Sequence, residues 1–201
     1  MLKQKLFDNF AHPRGPVGRL AGRIMAAKAD NIERGRWAVA ELAPPADARV
    51  LEIGYGPGVT LAHMAERLPS GHLIGVDTSE VMRAQAARRN REAIADGRLE
   101  VRVGDAQALD DDLTELDLVY GINVWQFWSD ANATVAHLAD RLVPGGRLAL
   151  VYMKPPPSDT TAADAQPLLL AQFADAGLVD IEARTMRHEP PAVLVVGRRP
   201  G

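Results

Sequence analysis

The chain has 201 residues, 47% of them hydrophobic and 24% charged, with a net charge of −3 and no cysteine. That length suits one α/β domain with a full core, and the mild negative charge offers no blanket attraction to nucleic acid; the missing thiols exclude a disulfide framework or a thiolate metal site, so no metal is expected. No apolar stretch of about 18 residues occurs and no apolar core follows the basic start Met1-Leu2-Lys3-Gln4-Lys5, so neither stable membrane insertion nor a secretory signal is expected, and the chain reads as cytoplasmic.

The first 40 residues stand apart. They hold eight Lys or Arg against three acids, a charge of +5, whereas residues 41–201 carry −8. On a helical projection Val17, Leu20, Ala21 and Ile24 share one face, with Arg19, Arg23, Arg34 and Asp30 opposite. This predicts an amino-terminal helical lid over residues 1–40, its charges in water, ahead of a cofactor-binding domain over 41–201. A basic cap that meets an anionic substrate or a membrane surface is the other reading. Gly15, Gly18 and Gly22, and the lack of large aromatics on the apolar face, weigh against it.

The run Val50-Leu51-Glu52-Ile53-Gly54-Tyr55-Gly56-Pro57-Gly58-Val59-Thr60 is an apolar strand, an acid near its end, then a glycine-rich turn opening a helix. Glycines one residue apart let the backbone turn sharply and approach a ligand closely, which points to a nucleoside-bearing cofactor. A dinucleotide fingerprint would place its third glycine at position 59, where Val59 stands, with Gly58 one place early. A carboxylate at Glu52 also repels phosphate and favours a cationic ligand over the glycines. S-adenosylmethionine, with its sulfonium and amino group, has that charge. The helix that follows places Leu61, Met64, Ala65 and Leu68 on one face.

The second strand, near 72–77, ends at Asp77, 23 residues after Gly54, the spacing at which an acid meets ribose hydroxyls. Thr78-Ser79-Glu80 then caps a helix whose Arg83, Arg88, Arg89 and Arg91 read as a solvated face. A third strand near 99–103 runs into Gly104-Asp105-Ala106, and a fourth, near 116–121, into Ile122-Asn123 and then Val124-Trp125-Gln126-Phe127-Trp128. Val135, Leu138, Ala139 and Leu142 give the next helix its apolar face, and Leu142-Val143-Pro144-Gly145-Gly146 reads as a turn into a strand near 147–153. Beyond a proline-rich loop, a helix through Leu169, Leu170 and Phe173 stops at Gly177. Two last strands, 179–184 and 192–197, are joined through Pro190-Pro191, too short a link for a parallel crossover, so they form an antiparallel hairpin.

These residues resemble the class I S-adenosylmethionine-dependent methyltransferases, whose first motif is an apolar strand followed by E/D-x-G-x-G-x-G. Glu52, Gly54, Gly56 and Gly58 match it position by position, Asp117-Leu118-Val119 resembles the D-x-V of the family's fourth strand, and Leu142 to Gly146 matches its L-x-P-G-G. The matches cover about residues 45 to 155. The resemblance implies an α/β fold with a Rossmann-like seven-stranded sheet of order 3-2-1-4-5-7-6, strand 7 antiparallel and helices on both faces. It implies S-adenosylmethionine as cofactor, held by Glu52, Gly54, Tyr55, Gly56, Gly58, Asp77, Thr78, Met82, Asp105, Ala106, Gly121 and Asn123. In the family's pattern Asp105 accepts from the adenine amino group and the Ala106 N–H meets the ring.

The acceptor side departs from the family. Many relatives carry paired histidines or other polar residues after strand four, where this chain reads Val124-Trp125-Gln126-Phe127-Trp128. His12, Trp125, Gln126, Trp128 and Tyr152 are the substrate candidates, the aromatics serving equally well as core. No base is assigned: His12, Tyr120, His137 and His188 each have an ordinary surface or core reading. The expected function is transfer of a methyl group, by in-line displacement, to oxygen or nitrogen of a small-molecule acceptor, by a monomer or homodimer. Nucleic acid is not expected as partner, because the N/D/S-P-P-Y/F signature is replaced by Gly121-Ile122-Asn123-Val124, and without cysteine neither cytosine C5 attack nor arsenic methylation is available. The alternatives are a phospholipid headgroup N-methyltransferase at the membrane surface, a catalytically silent cofactor-binding protein and, from another class, a nicotinamide-dependent reductase.

Overall fold

The computed structural model describes residues 29–154, 159–187 and 190–201. Helix α1 (Ala29–Leu42) leads into β1 (Arg49–Ile53), α2 (Val59–Arg67) and β2 (His72–Asp77); α3 (Glu80–Arg89), α4 (Arg91–Ala95), β3 (Leu99–Val103) and β4 (Leu116–Ile122) follow. After a 3-10 turn at Trp125–Phe127 come α5 (Ala131–Asp140), β5 (Leu142–Met153), α6 (Ala162–Asp175), β6 (Val179–Met186) and β7 (Ala192–Arg198). The sheet has seven strands in the order β3-β2-β1-β4-β5-β7-β6, as expected. β3, β2, β1, β4 and β5 run parallel, while β7 is antiparallel to both β5 and β6.

Strands buried on both faces explain the near-continuous apolar runs. Alternation within each strand divides them. Val50, Leu73, Leu118, Tyr120 and Val151 pack under α1, α2 and α3, whereas Leu51, Ile74, Val119, Leu148 and Val195 pack under α5 and α6. The apolar stripes predicted for the helices are buried: Leu61, Met64 and Ala65 on α2, Val135, Leu138 and Ala139 on α5, Leu169 and Phe173 on α6. Among the described residues no helix is long and apolar enough to cross a membrane.

The glycine turn leaves β1 toward α2 on one face, while β4 feeds α5 on the other. The crevice between the carboxyl ends of these neighbouring strands is the ligand position of an open α/β sheet.

Three sequence expectations are corrected. Leu142 is the first residue of β5, not the last of a helix, because α5 ends at Asp140 and Leu142 pairs with Leu116. Pro144-Gly145-Gly146 is accordingly a bulge inside β5, which shifts the register so that Leu118 faces Arg147. There Gly145 takes φ 79, its N–H donates to the Arg199 carbonyl, and the Arg199 N–H donates to Gly146. Arg34, expected in water, is only 5% exposed; its guanidinium donates to the Met153 sulfur and, at 3.1 Å, to the Pro190 carbonyl. The helical projection orients one helix against water and has no knowledge of the β5 end above it. Helix α1 also runs through residue 40, and its Ala38, Val39 and Leu42 belong to the sheet's core. The amino-terminal part of the expected lid, with Val17, Leu20, Ala21, Ile24, Arg19 and Arg23, lies outside the described residues, as do His12 and His188.

Candidate cofactor and acceptor site

All three glycines of the turn have left-handed backbone, φ 68 at Gly54, 51 at Gly56 and 75 at Gly58, but for different surroundings. A Cβ at Gly54 would lie 2.2 Å from a methyl of Val124, and one at Gly58 would lie 2.8 Å from the Ala86 backbone. Those two glycines are needed so that the protein can close on itself. A Cβ at Gly56 meets no atom within 4 Å. The turn's middle glycine therefore faces open space, where its backbone can carry a ligand.

The turn is pinned from every side. The Gly54 N–H donates to Val76 at 2.7 Å, Arg89 Nε donates to the Pro57 carbonyl at 3.0 Å, and Asn90 Nδ2 donates to both Gly58 (3.0 Å) and Ala86 (2.9 Å). Arg89 thus holds the turn, a role its place on an arginine-rich helix face did not reveal. Asp77 holds the rest: its carboxylate accepts from the Gly56 N–H at 2.8 Å and from the Ser79 N–H at 2.9 Å. It thereby ties the open glycine to the end of β2 and stands beside it. Ser79 caps α3 as its sequence position predicts, accepting from the Met82 N–H.

Beneath the turn lies Glu52, 2% exposed, which accepts a 2.6 Å hydrogen bond from the Tyr120 hydroxyl on the neighbouring strand β4. Burial pushes its carboxyl up to about 8 from an ordinary 4.5; the Tyr120 bond works against that rise, and the Asp77 charge adds to it. At neutral pH, without a cation, Glu52 is therefore mostly a neutral acid, not the carboxylate its sequence position indicates. An arriving cation would favour its ionised form. Tyr120, fully buried and facing Glu52, is itself held well above its usual range, which removes it as a proton acceptor.

The other expected cofactor residues fall in two groups. Asp105 accepts from the Gln107 N–H at 3.0 Å in the loop after β3, where Ala106 is buried; Gly121 is near the end of β4 and Asn123 just beyond it, and Thr78 is exposed just after β2. Tyr55 and Met82 instead turn their side chains into the core. The Tyr55 hydroxyl donates to the Arg102 carbonyl and its ring fills the space over Gly75; Met82 is 1% exposed under the sheet. What these two offer a ligand is backbone.

On the acceptor side, Asn123 has φ 54, donates its N–H to Val151 and accepts at Oδ1 from the Met153 N–H at 2.8 Å, which locks the end of β4 to the end of β5. Val124 folds back over Gly54 and Gly121. Trp125 donates Nε1 to Gln172 on α6 at 2.7 Å and meets the Tyr152 ring edge-on, 5.7 Å between centroids. Tyr152 is 1% exposed and donates to the Thr160 carbonyl. This pair braces the site from the α6 side. Gln126 and Trp128 are half-buried, and Gln126 donates Nε2 to the Asn123 carbonyl at 2.8 Å. His137 lies on α5 beside Arg141, away from these strand ends.

Tyr120, Val124, Asn90 and Arg34 were not legible as site-building residues. Each acts on a partner between 30 and 160 positions away, across the sheet or between helices.

Residues 50–146 match a family described as a methyltransferase domain. An uncharacterized methyltransferase, YdaC, of Bacillus subtilis is 28% identical over 185 residues, covering 90% of this chain and 98% of that one. A trans-aconitate 2-methyltransferase of Variovorax paradoxus is 34% identical over 106 residues, 53% of this chain; that match spans only 39% of the Variovorax protein. Among solved structures, the magnesium protoporphyrin IX methyltransferase of Synechocystis PCC 6803 with bound SAH superposes with a TM-score of 0.72 at 18% identity, covering 98% of this chain and 99% of that one. At that identity the likeness bears on the fold.

Proposed function

We infer that this chain, which belongs to the class I S-adenosylmethionine-dependent methyltransferases, methylates a small-molecule acceptor at oxygen or nitrogen. The observation that carries the cofactor site is the open left-handed Gly56, flanked by the Asp77 carboxylate and underlain by Glu52. Such a cradle fits a nucleoside with vicinal hydroxyls and a positive charge. It does not fit a pyrophosphate, which would meet the Asp77 carboxylate and no cation donated by the turn. When bound, S-adenosylmethionine supplies a methyl group already activated by its sulfonium.

The chain's own residues then have three tasks. Asp77 accepts the ribose hydroxyls, and Asp105 with the Ala106 N–H meets the base. Glu52, ionised by the cofactor's cation and steadied by the Tyr120 hydroxyl, holds the ligand's charged end. Asn123, Val124 and Gln126 form the floor on which the acceptor is aligned, since orientation and exclusion of water provide most of what a sulfonium displacement requires, about 7 to 11 kcal/mol in well-oriented reactions.

A low-molecular-weight acceptor is supported by the acidic net charge and by the Variovorax relative, whose name gives trans-aconitate as its substrate. Calorimetry with S-adenosylmethionine and with NADH tests the cofactor; tighter binding of NADH would overturn the assignment. Incubation with labelled S-adenosylmethionine and a metabolite extract, read by mass spectrometry for gain of one methyl, tests transfer. Binding with no methylated product would favour a silent binding protein.

A further inference from the structure

We propose that Gln126 is a specificity-determining residue whose amide oxygen accepts a hydrogen bond from an N–H or O–H of the methyl acceptor, so that this enzyme selects hydrogen-bond donors and rejects carboxylates. The proposal rests on the methyltransferase reading above and deepens it.

Gln126 Oε1 is buried and meets no hydrogen-bond donor among the described residues. Leaving such an oxygen unpaired is costly, and natural structures rarely do so without a use for it. The orientation of the amide is settled by its other end. Nε2 donates to the Asn123 carbonyl at 2.8 Å, and exchanging the two ends would set one carbonyl oxygen against another.

The oxygen is also held rigidly. Asn123, which anchors it, is fixed to β5 by its own N–H, through Val151, and by its side chain, through Met153. Trp125, the preceding residue, is tied to α6 through Gln172. Gln126 thus lies just past the carboxyl end of β4, its amide tied to Asn123 and two residues on from Val124, which roofs Gly54 and Gly121. An unpaired acceptor placed there is preorganised for a donor that a ligand brings.

The chemistry follows from what an amide oxygen can do. It accepts a hydrogen bond but does not take a proton at neutral pH, so it aims the lone pair of a neutral N–H or O–H group without acting as a base. For a nitrogen acceptor, the lone pair forms the new N–C bond as the C–S bond breaks and its electron pair returns to sulfur; the nitrogen, now cationic, releases its proton to water. For a hydroxyl the same bonds form and break, and the O–H proton leaves to water. A carboxylate brings no hydrogen and sets its negative charge against the carbonyl dipole, so it lacks the interaction and meets repulsion as well.

The test uses the full chain, S-adenosylmethionine carrying a labelled methyl group and a metabolite extract, with the methylated position of each product determined by tandem mass spectrometry. Gln126→Leu and Gln126→Asn are compared with wild type on the best substrate found. The expected result is methylation at, or next to, an atom bearing N–H or O–H, with kcat/KM lowered tenfold or more in Gln126→Leu and less in Gln126→Asn. Calorimetric affinity for S-adenosylmethionine should change less than twofold in both. Methylation of carboxylate oxygens, or a Gln126→Leu kcat/KM within twofold of wild type, would overturn the proposal while leaving the methyltransferase reading intact. Failure of wild type to bind S-adenosylmethionine, or binding without any product, would overturn that reading and the proposal with it. If Gln126→Leu does not fold, Gln126→Asn decides the matter by the same ratio, unchanged kcat/KM counting against the role.

Discussion

Replacing Glu52 by glutamine preserves the shape of a buried side chain and removes its proton. In the folded chain without ligand the Glu52 carboxyl is pushed up to about 8, against an ordinary 4.5. Between those two values the native state holds a proton that the unfolded chain releases. The stabilisation belonging to the neutral acid is therefore complete below pH 4.5 and is lost as the pH rises through about 8. Within that window each pH unit removes about 1.4 kcal/mol, so going from pH 6 to pH 8 should cost the wild type roughly 2 kcal/mol through this one group. Glu52→Gln titrates nothing there. Urea unfolding of both proteins at pH 6, 7 and 8 should show the variant gaining on wild type by about 2 kcal/mol across the range, all other groups being common to both. Saturating S-adenosylmethionine should flatten the wild-type slope, because a cation favours the carboxylate, while Glu52→Gln should bind that ligand at least about tenfold more weakly at pH 8. Parallel pH slopes for the two unliganded proteins would refute the reasoning, since the carboxyl would then be ionised in its buried place or reached by water.

Gly56→Val should abolish S-adenosylmethionine binding while circular dichroism stays native and stability falls by only about 1 to 2 kcal/mol, the strain of a left-handed residue; retained calorimetric binding would remove Gly56 from the site. Gly54→Ala should behave in the opposite sense, lowering the unfolding midpoint strongly, because its Cβ would lie 2.2 Å from Val124. Asp77→Ala should weaken cofactor affinity by about 1 to 3 kcal/mol, through lost hydroxyl bonds and a loosened Gly56 amide, and unchanged calorimetry would refute the assignment. Phe173→Ala, at a fully buried position on α6, should cost about 3 to 5 kcal/mol by urea unfolding with cofactor affinity unaltered, since it packs against the sheet beside Gly197 and Leu178.

Much of the fold was legible because it is written in local periods. Residues 50–53 and 73–76 are buried without alternation and, Glu52 aside, carry no polar side chain, as strands covered on both faces must, and the stripe of Leu61, Met64 and Ala65 has the helical repeat. The acids that close β1 and β2, and the turn glycines, could be placed by spacing alone, since residues adjacent in a strand–turn–helix unit stay adjacent in space. Where the local pattern was mixed, the reading slipped. Leu142 continues the apolar stripe of α5 by sequence, yet its pairing with Leu116 draws it into β5.

The states of the site residues were a different matter. Glu52 is the same residue in either protonation state; burial in the sheet raises its carboxyl, against the pull of the Tyr120 hydroxyl that the strand register sets opposite it. Of the three glycines, which two make room for protein and which one faces a ligand depends on Val124 and Ala86, brought in from other elements. The unpaired oxygen of Gln126 exists only because Asn123 is locked to β5 and takes the amide's other end. The amino-acid sequence by itself carried the family resemblance, the strands and the turn, because these follow from short-range order along the chain. Tertiary structure alone decided charge state, open space and unsatisfied hydrogen bonds, because each is a property of what surrounds a group, and those surroundings come from residues distant in sequence.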